Sequence, residues 1–239
     1  KQTLSRLAGL AHRVVYLAPP PLQGWTDPRV LSLLRALRGR SLPSQFTYVS
    51  TSGVYGDCAG AWVAETQALA PTTARAHRRL DAERQVRFWG RSTGVAVQLL
   101  RVPGIYAADR EDGTPVARLR KGTPVLQASD DVYTNHIHAD DLARATTRAL
   151  WRGAAQRSYN INDDTVLRMG DYFDMAADML GLPRPPRVPR QDAHAHLSVM
   201  VLSFMSESRR MVNTRMKQEL GVRLRYPTVR EGLATVLVP

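Results

Sequence analysis

The first hundred residues alternate between short apolar runs and segments with helical spacing. The runs at 13–18, 46–49 and 95–100 are rich in β-branched and aliphatic residues, as buried strands are. The segments between them, 27–39 and 73–89, carry apolar residues at helical spacing and follow candidate caps, Asp27 and either Thr72 or Thr73. Crossovers between strands of this kind are right-handed and make the strands parallel. This order of elements therefore predicts an α/β fold with a doubly wound parallel sheet.

The remainder of the chain has a looser pattern. Periodicity predicts a short strand at 159–161 and helices at 115–121, 139–151, 171–180 and 206–220. The proline-rich stretch 183–189 cannot continue a helix and predicts an extended connector. These elements indicate a smaller, mixed region after the sheet.

Charge and cysteine content limit the partners. The chain has 33 basic and 21 acidic residues, which gives a formal charge of +12. That excess can indicate a nucleic acid partner, but the arginines are scattered over the whole chain, so we expect no nucleic acid partner. No apolar run approaches the roughly 18 residues that cross a bilayer, and the single cysteine, Cys58, excludes an internal disulfide. We expect a cytoplasmic protein with no membrane partner.

Residues 48–57, Tyr-Val-Ser-Thr-Ser-Gly-Val-Tyr-Gly-Asp, follow the second predicted strand. A hydroxyl at the carboxyl end of a parallel strand lies where such sheets bind ligands, although serine and threonine clusters also occur in ordinary loops. The segment resembles the strand-to-loop signature of extended short-chain dehydrogenases/reductases of the nucleotide-sugar epimerase/dehydratase type. The resemblance implies that Thr51, four residues before Tyr55, acts on the substrate as a catalytic residue. It also implies that Ser50 lies at the cofactor and Ser52 at the substrate.

Two strand ends match the same family in the same order. Residues 17–20, Leu-Ala-Pro-Pro, resemble the end of the family's fourth strand, which lies against the dinucleotide. Residues 101–106, Arg-Val-Pro-Gly-Ile-Tyr, resemble the end of its sixth strand, which approaches the nicotinamide. The resemblance thus implies NAD or NADP as cofactor, and it implies that these residues bind it: Leu17, Ala18, Pro19, Pro103, Gly104 and Ile105.

Residues 135–143, Asn-His-Ile-His-Ala-Asp-Asp-Leu-Ala, resemble a family segment that borders the substrate pocket. The resemblance implies substrate contacts from Asn135 and His136. His138 is the candidate general acid/base, because imidazole titrates near neutral pH. No third ligand follows the two histidines at a metal-like spacing, so we expect no metal site. We expect Asp140 or Asp141 to cap the helix that follows.

Two arginines replace the catalytic pair of that family, Tyr-x-x-x-Lys followed by Leu-Ala-Ala-Glu. Residues 80–83, Leu-Asp-Ala-Glu, match the tail, which puts Arg79 at the lysine position and Arg75 at the tyrosine position. A guanidinium stays charged and cannot accept a proton. Arg79 retains the ability to bind a ribose or phosphate, and Arg75 the ability to contact substrate. Together with Arg78 they share one helical face, which is either an anion site or a solvated face paired with Asp81 or Glu83.

No Gly-x-x-Gly-x-x-Gly turn precedes a helix, and the chain begins at Lys1. That turn lets the backbone approach a dinucleotide pyrophosphate. If 13–18 is the family's fourth strand, three strands and the turn lie upstream. We therefore interpret the chain as part of a longer polypeptide.

These patterns predict two regions and leave two functions open. Residues 1–106 and 129–162 are predicted to form a Rossmann-like NAD(P)-binding domain that lacks its first three strands, and 107–128 and 163–239 a smaller α/β substrate domain. The first function is an oxidoreductase or isomerase acting on a small molecule such as a nucleotide sugar; the second is a catalytically degenerate dinucleotide-binding or sensor protein. The resemblance also implies a homodimer through the helices at 27–38 and 73–89, with Leu33, Leu37 and Val86 exposed.

Overall fold

A computed structural model describes residues 2–110 and 113–235; Lys1, 111–112 and 236–239, which belong to the predicted domains, lie outside the described residues. The strands in these ranges are β1 (Arg13–Tyr16), β2 (Gln45–Thr51), β3 (Trp62–Val63), β4 (Ala96–Val102), β5 (Gly104–Tyr106), β6 (Val125–Leu126), β7 (Tyr133–Thr134), β8 (His136–His138), β9 (Arg157–Asn160), β10 (Leu167–Arg168), β11 (Arg187–Val188) and β12 (Arg210–Met211). The helices are α1 (Gln2–Ser5), α2 (Pro28–Leu37), α3 (Ala74–Thr93), α4 (Val116–Arg120), α5 (Ala139–Arg152), α6 (Met169–Leu180), α7 (Ala193–His196), α8 (Val199–Phe204), α9 (Thr214–Glu219) and α10 (Val229–Ala234), with a 3₁₀ helix at Ser52–Tyr55.

Four parallel strands form the central sheet in the order β1-β2-β4-β9. Tyr16 pairs with Tyr48 and Thr51 pairs with Val102, so the carboxyl ends of β1, β2 and β4 lie side by side. This confirms the predicted parallel sheet. The first strand ends at Tyr16, two residues earlier than expected, which leaves 17–19 in the loop beyond the sheet.

Helices cover both faces of the sheet, as a doubly wound fold requires. Neighbouring residues of a strand point to opposite faces, and Leu99 and Leu100 of β4 accordingly belong to two separate buried clusters. The cluster around Leu99 contains the apolar sides of α2 and α3, and the cluster around Leu100 contains those of α5 and α9.

The helices α2 and α3 begin at the expected caps but bury a face that was expected to be exposed. Asp27 and Thr73 each accept hydrogen bonds from backbone N–H groups of the first turn. Leu33, Leu37 and Val86 lie inside, packed between the helices and the sheet. The prediction that these three residues are exposed was therefore wrong, because they form part of the hydrophobic core between the sheet and these two helices. A homodimer stays a prediction, but these side chains cannot form its interface.

The predicted helix at 206–220 was wrong over its first half. Residues 210 and 211 form β12, which pairs with β3, and the helix α9 begins only at Thr214. The carboxamide of Asn135 fixes this segment, because it donates to the carbonyl oxygen of Arg209 and accepts from the N–H of Met211. Tertiary hydrogen bonds thus override local helix propensity here.

A third buried cluster lies beside the sheet and draws on α4, α6, α7 and α10, with Tyr172 and Phe173 among its larger side chains. The helix α9 instead packs on the sheet through Met216, although 163–239 was assigned to the substrate region. The division into two domains stays a prediction. Within the part of the chain that the structure describes, no helix combines the length and apolar character needed to cross a bilayer.

Candidate functional site

A cavity of about 510 Å³ opens at the carboxyl ends of β2 and β4. In parallel α/β sheets this edge is where ligands bind. One wall consists of residues 51–53 at the end of β2 and residues 103–105 after β4. The other walls come from the start of α3, from residues 133–136, from α4 and α6, and from the end of α8 with the segment after it. The predicted site residues that line this cavity are Thr51, Ser52, Arg75, Pro103, Gly104, Ile105, Asn135 and His136.

Thr51 ends β2 and begins the 3₁₀ helix. Its Oγ1 accepts a hydrogen bond from the N–H of Gly53 at 3.3 Å. A hydroxyl that accepts one bond can still donate its proton. Thr51 can therefore hold a substrate oxygen while the turn fixes its position.

A buried polar network holds the turn after Thr51. The Tyr55 hydroxyl donates to Oδ1 of Asn160 at 2.7 Å and accepts from Nη1 of Arg101 at 3.0 Å. Arg101 also makes two bonds to the Glu83 carboxylate, of 3.2 and 2.9 Å. Burial raises the pKa of Tyr55 to about 12, so the phenol stays protonated. The network ties the cavity wall to α3, β4 and β9.

The described residues that line the cavity carry more positive than negative charge. They include four arginines and one glutamate: Arg75, Arg110, Arg118, Arg209 and Glu207. The carboxylate of Glu207 is paired with Arg209 at 2.8 Å and accepts from the Thr72 hydroxyl at 2.8 Å. Within the described ranges, Arg75 and Arg118 have no such acid partner, so the cavity suits an anion.

Arg118 was not identified from the sequence. It comes from α4, and its guanidinium lies over the ring of Phe173 at 4.3 Å. Its Nε and Nη2 are buried and have no hydrogen-bond partner among the described residues. Burial lowers the pKa of Arg118, yet a guanidinium stays charged near neutral pH. No motif marks this residue, since only the packing of α4 against α6 brings it to the cavity.

Arg75, Arg78 and Arg79 diverge from their common helix. Arg75 lies at the cavity, over the ring of Phe204 at 4.7 Å, and loss of solvent around the guanidinium lowers its pKa. Arg78 donates to the carbonyl oxygen of Gly24 at 2.6 Å. Arg79 reaches the strand ends and donates to backbone oxygens of Ala18 and Val49 and to the Tyr48 hydroxyl. Convergence on one anion was therefore a wrong expectation.

The paired-face alternative for these arginines was wrong too. Glu83 pairs with Arg101, and Asp81 accepts from the N–H of Asp27 and from the side chain of Gln85. Both carboxylates are thus engaged with partners outside the arginine group.

His136 and Asn135 line the cavity in different states. His136 is buried, packs against the Tyr172 ring at 4.5 Å, and has an Nδ1 without a partner among the described residues. Burial lowers the pKa of His136 to about 4, so it is neutral at pH 7. The Asn135 carboxamide already makes hydrogen bonds to the backbone of Arg209 and Met211. It therefore holds the Arg209 backbone in place and has few hydrogen-bonding groups left for a substrate.

His138 is not among the residues that line the cavity, and its acid/base role stays a prediction. It is buried between the rings of Tyr106 and Tyr226, at centroid distances of 5.2 and 4.0 Å. Its Nδ1 accepts from the N–H of Asp140 at 3.2 Å, so His138 is itself the cap of α5. Asp141, one of the two expected caps, accepts from backbone N–H groups of Arg225 and Tyr226.

The predicted cofactor edge is open and contains unpartnered polar groups. Leu17, Ala18 and Pro19 are exposed beyond β1, and Arg79 reaches the carbonyl of Ala18. The Ser50 hydroxyl oxygen is buried with no partner in the described part of the chain. An apolar shelf beside a cation and a free hydroxyl fits a dinucleotide, and the described residues contain no group of three metal-ligating side chains.

Comparison with known proteins finds one matching family model and a curated relative. The model of the NAD dependent epimerase/dehydratase family matches residues 29–162. A GDP-6-deoxy-D-mannose reductase of Pseudomonas aeruginosa is 26% identical over 161 residues, which cover 62% of this chain and 53% of that protein. The chain thus spans about half the length of this curated relative.

Solved structures share the fold. A functionally unknown conserved protein from Silicibacter pomeroyi is 32% identical and has a TM-score of 0.80, covering 95% of this chain and 77% of that one. RMD from Pseudomonas aeruginosa, complexed with NADPH, is 20% identical with a TM-score of 0.75, covering 99% and 84%. At that identity the second likeness concerns the fold alone.

Proposed function

The chain belongs to the NAD dependent epimerase/dehydratase family, and from this premise we propose that it binds NAD or NADP at the carboxyl edge of its sheet. We propose further that the adjoining cavity takes an anionic sugar derivative such as a nucleotide sugar. The reaction is then an oxidoreduction or isomerisation of the sugar, carried out with altered acid/base residues.

The charge of the cavity is the observation that carries this proposal. Arg75 and Arg118 face it without forming an ion pair with a described residue, and Arg118 also has buried N–H groups that no described atom accepts. Leaving such donors unpaired is unfavourable, and an anion would satisfy them. A diphosphate linked to a sugar supplies charge and hydroxyl groups together. The curated relative, a GDP-6-deoxy-D-mannose reductase, acts on a substrate of that class by its name.

The dinucleotide side is assigned to residues that end the strands. Leu17, Ala18 and Pro19 would lie along it, Arg79 would hold its ribose or a phosphate, and Pro103 would approach the nicotinamide. A bound dinucleotide supplies hydride exchange. The protein's own part is to place a substrate carbon beside it and to exclude water, and we assign to Thr51 and Ser52 the binding of the substrate hydroxyls.

A catalytically degenerate dinucleotide-binding protein is the second candidate, and Arg75 favours it. A guanidinium at the position of the family's tyrosine cannot accept a proton. The two cavity groups best placed to replace it are poor bases at neutral pH, because burial lowers the pKa of His136 to about 4 and raises that of Tyr172.

Restoring the missing pair tests which candidate applies. The natural polypeptide is mixed with NADPH and with GDP- and UDP-linked sugars, and NADPH absorbance is followed. Arg75→Tyr alone should change turnover little, since a phenol keeps a pKa near 10 without a neighbouring lysine. Arg75→Tyr with Arg79→Lys should raise sugar-dependent turnover by about 10²-fold. The lysine can replace Arg79 at the strand ends, because an ammonium has three donors.

Arg91→Lys is the matched control, because Arg91 lies exposed in the last turn of the same helix. If the double variant binds NADPH as wild type does and shows no added turnover with any of these sugars, the hydride-transfer proposal is wrong and the sensor candidate stands.

A further inference from the structure

A second cluster of cations lies on the far side of the sheet from α2 and α3. Arg144, Arg148 and Arg152 follow one another at i, i+4 and i+8, so they form a row along one face of α5. Together with Lys217 of α9 and Arg223 after it, they line a depression of about 460 Å³. This depression shares no residue with the cavity described above.

Two of the five cations are already neutralised. Arg144 pairs with Asp141 at 3.2 Å, and Lys217 pairs with Asp164. The side chains of Arg148, Arg152 and Arg223 make no hydrogen bond or ion pair within residues 2–110 and 113–235. The depression therefore holds three uncompensated positive charges.

Two of these charges are brought to one point. A Cβ placed on Gly221 would lie 2.8 Å from Nη1 of Arg152 and 3.5 Å from Nη1 of Arg148. Gly221 has a φ of +65°, in the left-handed region that glycine adopts without strain. The absent side chain leaves room for both guanidinium groups, which would otherwise avoid each other because like charges repel.

The end of α5 does not remove this charge. Arg152 lies in the last turn, where the helix carbonyls carry a partial negative charge of about half an electron at most. Such a charge stabilises one guanidinium but cannot neutralise three cations. A ligand with two or three negative charges would do so.

We propose that this depression is a binding site for a diphosphate group, held by Arg148, Arg152 and Arg223 around Gly221. Guanidinium groups bind phosphate oxygens through paired N–H donors, and their geometry favours phosphate over a single carboxylate. The concave shape and the count of three charges match a diphosphate. A nucleic acid is bound by cations spread along many phosphates, whereas Arg148 and Arg152 meet at one point beside Gly221. Free pyrophosphate and a nucleoside diphosphate share this chemistry.

The site is separate from the proposed reaction. α5 begins beside His138 and ends at Arg152, a rise of about 20 Å. Failure of the proposed function would therefore leave this inference standing, and the reverse also holds.

Calorimetric titration of the natural polypeptide with pyrophosphate, ADP and inorganic phosphate tests the proposal. Arg148→Gln with Arg152→Gln should weaken pyrophosphate binding at least tenfold. Arg91→Gln, which also removes an exposed arginine from the last turn of a helix, should leave it unchanged. Because pyrophosphate can also enter the cationic cavity, Arg118→Gln is titrated in parallel and should retain the site. Hydrogen–deuterium exchange should show protection of residues 217–225 on addition of pyrophosphate.

Equal binding of ADP and pyrophosphate would indicate that the diphosphate alone is recognised, and tighter ADP binding would indicate a nucleotide; both support the site. Inorganic phosphate should bind more weakly than either. Unchanged affinity in the double variant, an equal loss in Arg91→Gln, or displacement of pyrophosphate by an RNA oligonucleotide or polyglutamate at lower concentration would overturn the proposal. Circular dichroism of each variant verifies that it is folded, and Arg152→Lys provides a milder change if the double variant is not.

Discussion

Asp163 and His136 are buried neighbours with opposite shifts of pKa. The N–H of Asp163 donates to the carbonyl oxygen of His136 at 2.8 Å. Neither side chain has a charged partner in the described ranges, and Oδ2 of Asp163 and Nδ1 of His136 accept no bond there. Burial raises the pKa of Asp163 to about 7 and lowers that of His136 to about 4. Both groups are therefore neutral in the folded protein near pH 5.5.

These shifts give the two residues opposite effects on stability. The Asp163 pKa is higher folded than unfolded, so its favourable neutral state is present below about pH 4 and is lost as pH rises through about 7. The His136 pKa is lower folded than unfolded, so its contribution is present above about pH 6.5 and is lost as pH falls through about 4. Between about pH 4 and 6.5 the two residues therefore change the free energy of unfolding in opposite directions as pH rises. Just above that range only the ionisation of Asp163 changes it.

We predict that Asp163→Asn stabilises the protein at pH 8 and adds nothing at pH 4. The amide keeps Oδ1 as acceptor for the N–H of Thr165, at 2.9 Å, and removes the charge. The gain in unfolding free energy at pH 8 should be at most about 4 kcal/mol, from about 1.4 kcal/mol per unit of pKa shift. Denaturant unfolding at both pH values measures it, with Asp192→Asn as the exposed control. A loss of stability at both pH values would contradict this account.

At the scale of elements, the pair Arg101–Glu83 joins β4 to α3. Both side chains are nearly inaccessible, with 3% and 2% exposure. Removing one partner of such a pair leaves a buried, unpaired charge. The same arginine holds Tyr55, so the pair also supports the turn that carries Thr51.

We predict that Glu83→Gln lowers the free energy of unfolding by about 3–5 kcal/mol. Asp178→Asn is the matched control, because Asp178 makes a two-bond pair with Arg184 whose side chains are 53% and 61% exposed. That change should lower the free energy of unfolding far less, since solvent screens an exposed pair. Urea unfolding of the two variants measures both changes. Equal losses of unfolding free energy would show that burial does not determine how much an ion pair stabilises this protein.

Helix starts that depend on neighbouring residues could be predicted from the sequence. Elements whose ends depend on contacts with distant residues could not. The helices α2 and α3 start at Asp27 and Thr73, because a cap is a local hydrogen bond between a side chain and the next turn. The helix α5 is capped by His138 and not by an aspartate, because the Asp141 carboxylate accepts hydrogen bonds from the backbone N–H groups of Arg225 and Tyr226. The segment at 210–211 became a strand for a similar reason, since β3 pairs with it.

Across the whole molecule, sequence patterns predicted the wall of the cavity that the strand ends form, but not the opposite walls. Thr51 and Pro103 could be placed at the cavity because they end adjacent parallel strands, and strand order follows from crossover rules. Arg118, Arg209 and Glu207 could not, because they arrive from helices and loops whose packing no local pattern defines. These side chains contribute the charge of the cavity, so the sequence predicted the position of the proposed ligand site better than the kind of ligand.

We have proposed that the carboxyl edge of the sheet binds a dinucleotide beside an anionic sugar. The most direct test is calorimetric titration of the natural polypeptide with NADH and NADPH, then with GDP- or UDP-linked sugars, in wild type, Arg79→Ala, Arg118→Gln and the control Arg91→Ala. We predict that at least one dinucleotide binds to the wild type. Arg79→Ala should weaken dinucleotide binding about tenfold, and Arg118→Gln should weaken only the binding of the sugar ligand. Each variant loses a charge-assisted contact worth about 1.5 kcal/mol. Wild type that binds neither dinucleotide at millimolar concentration would contradict the claim.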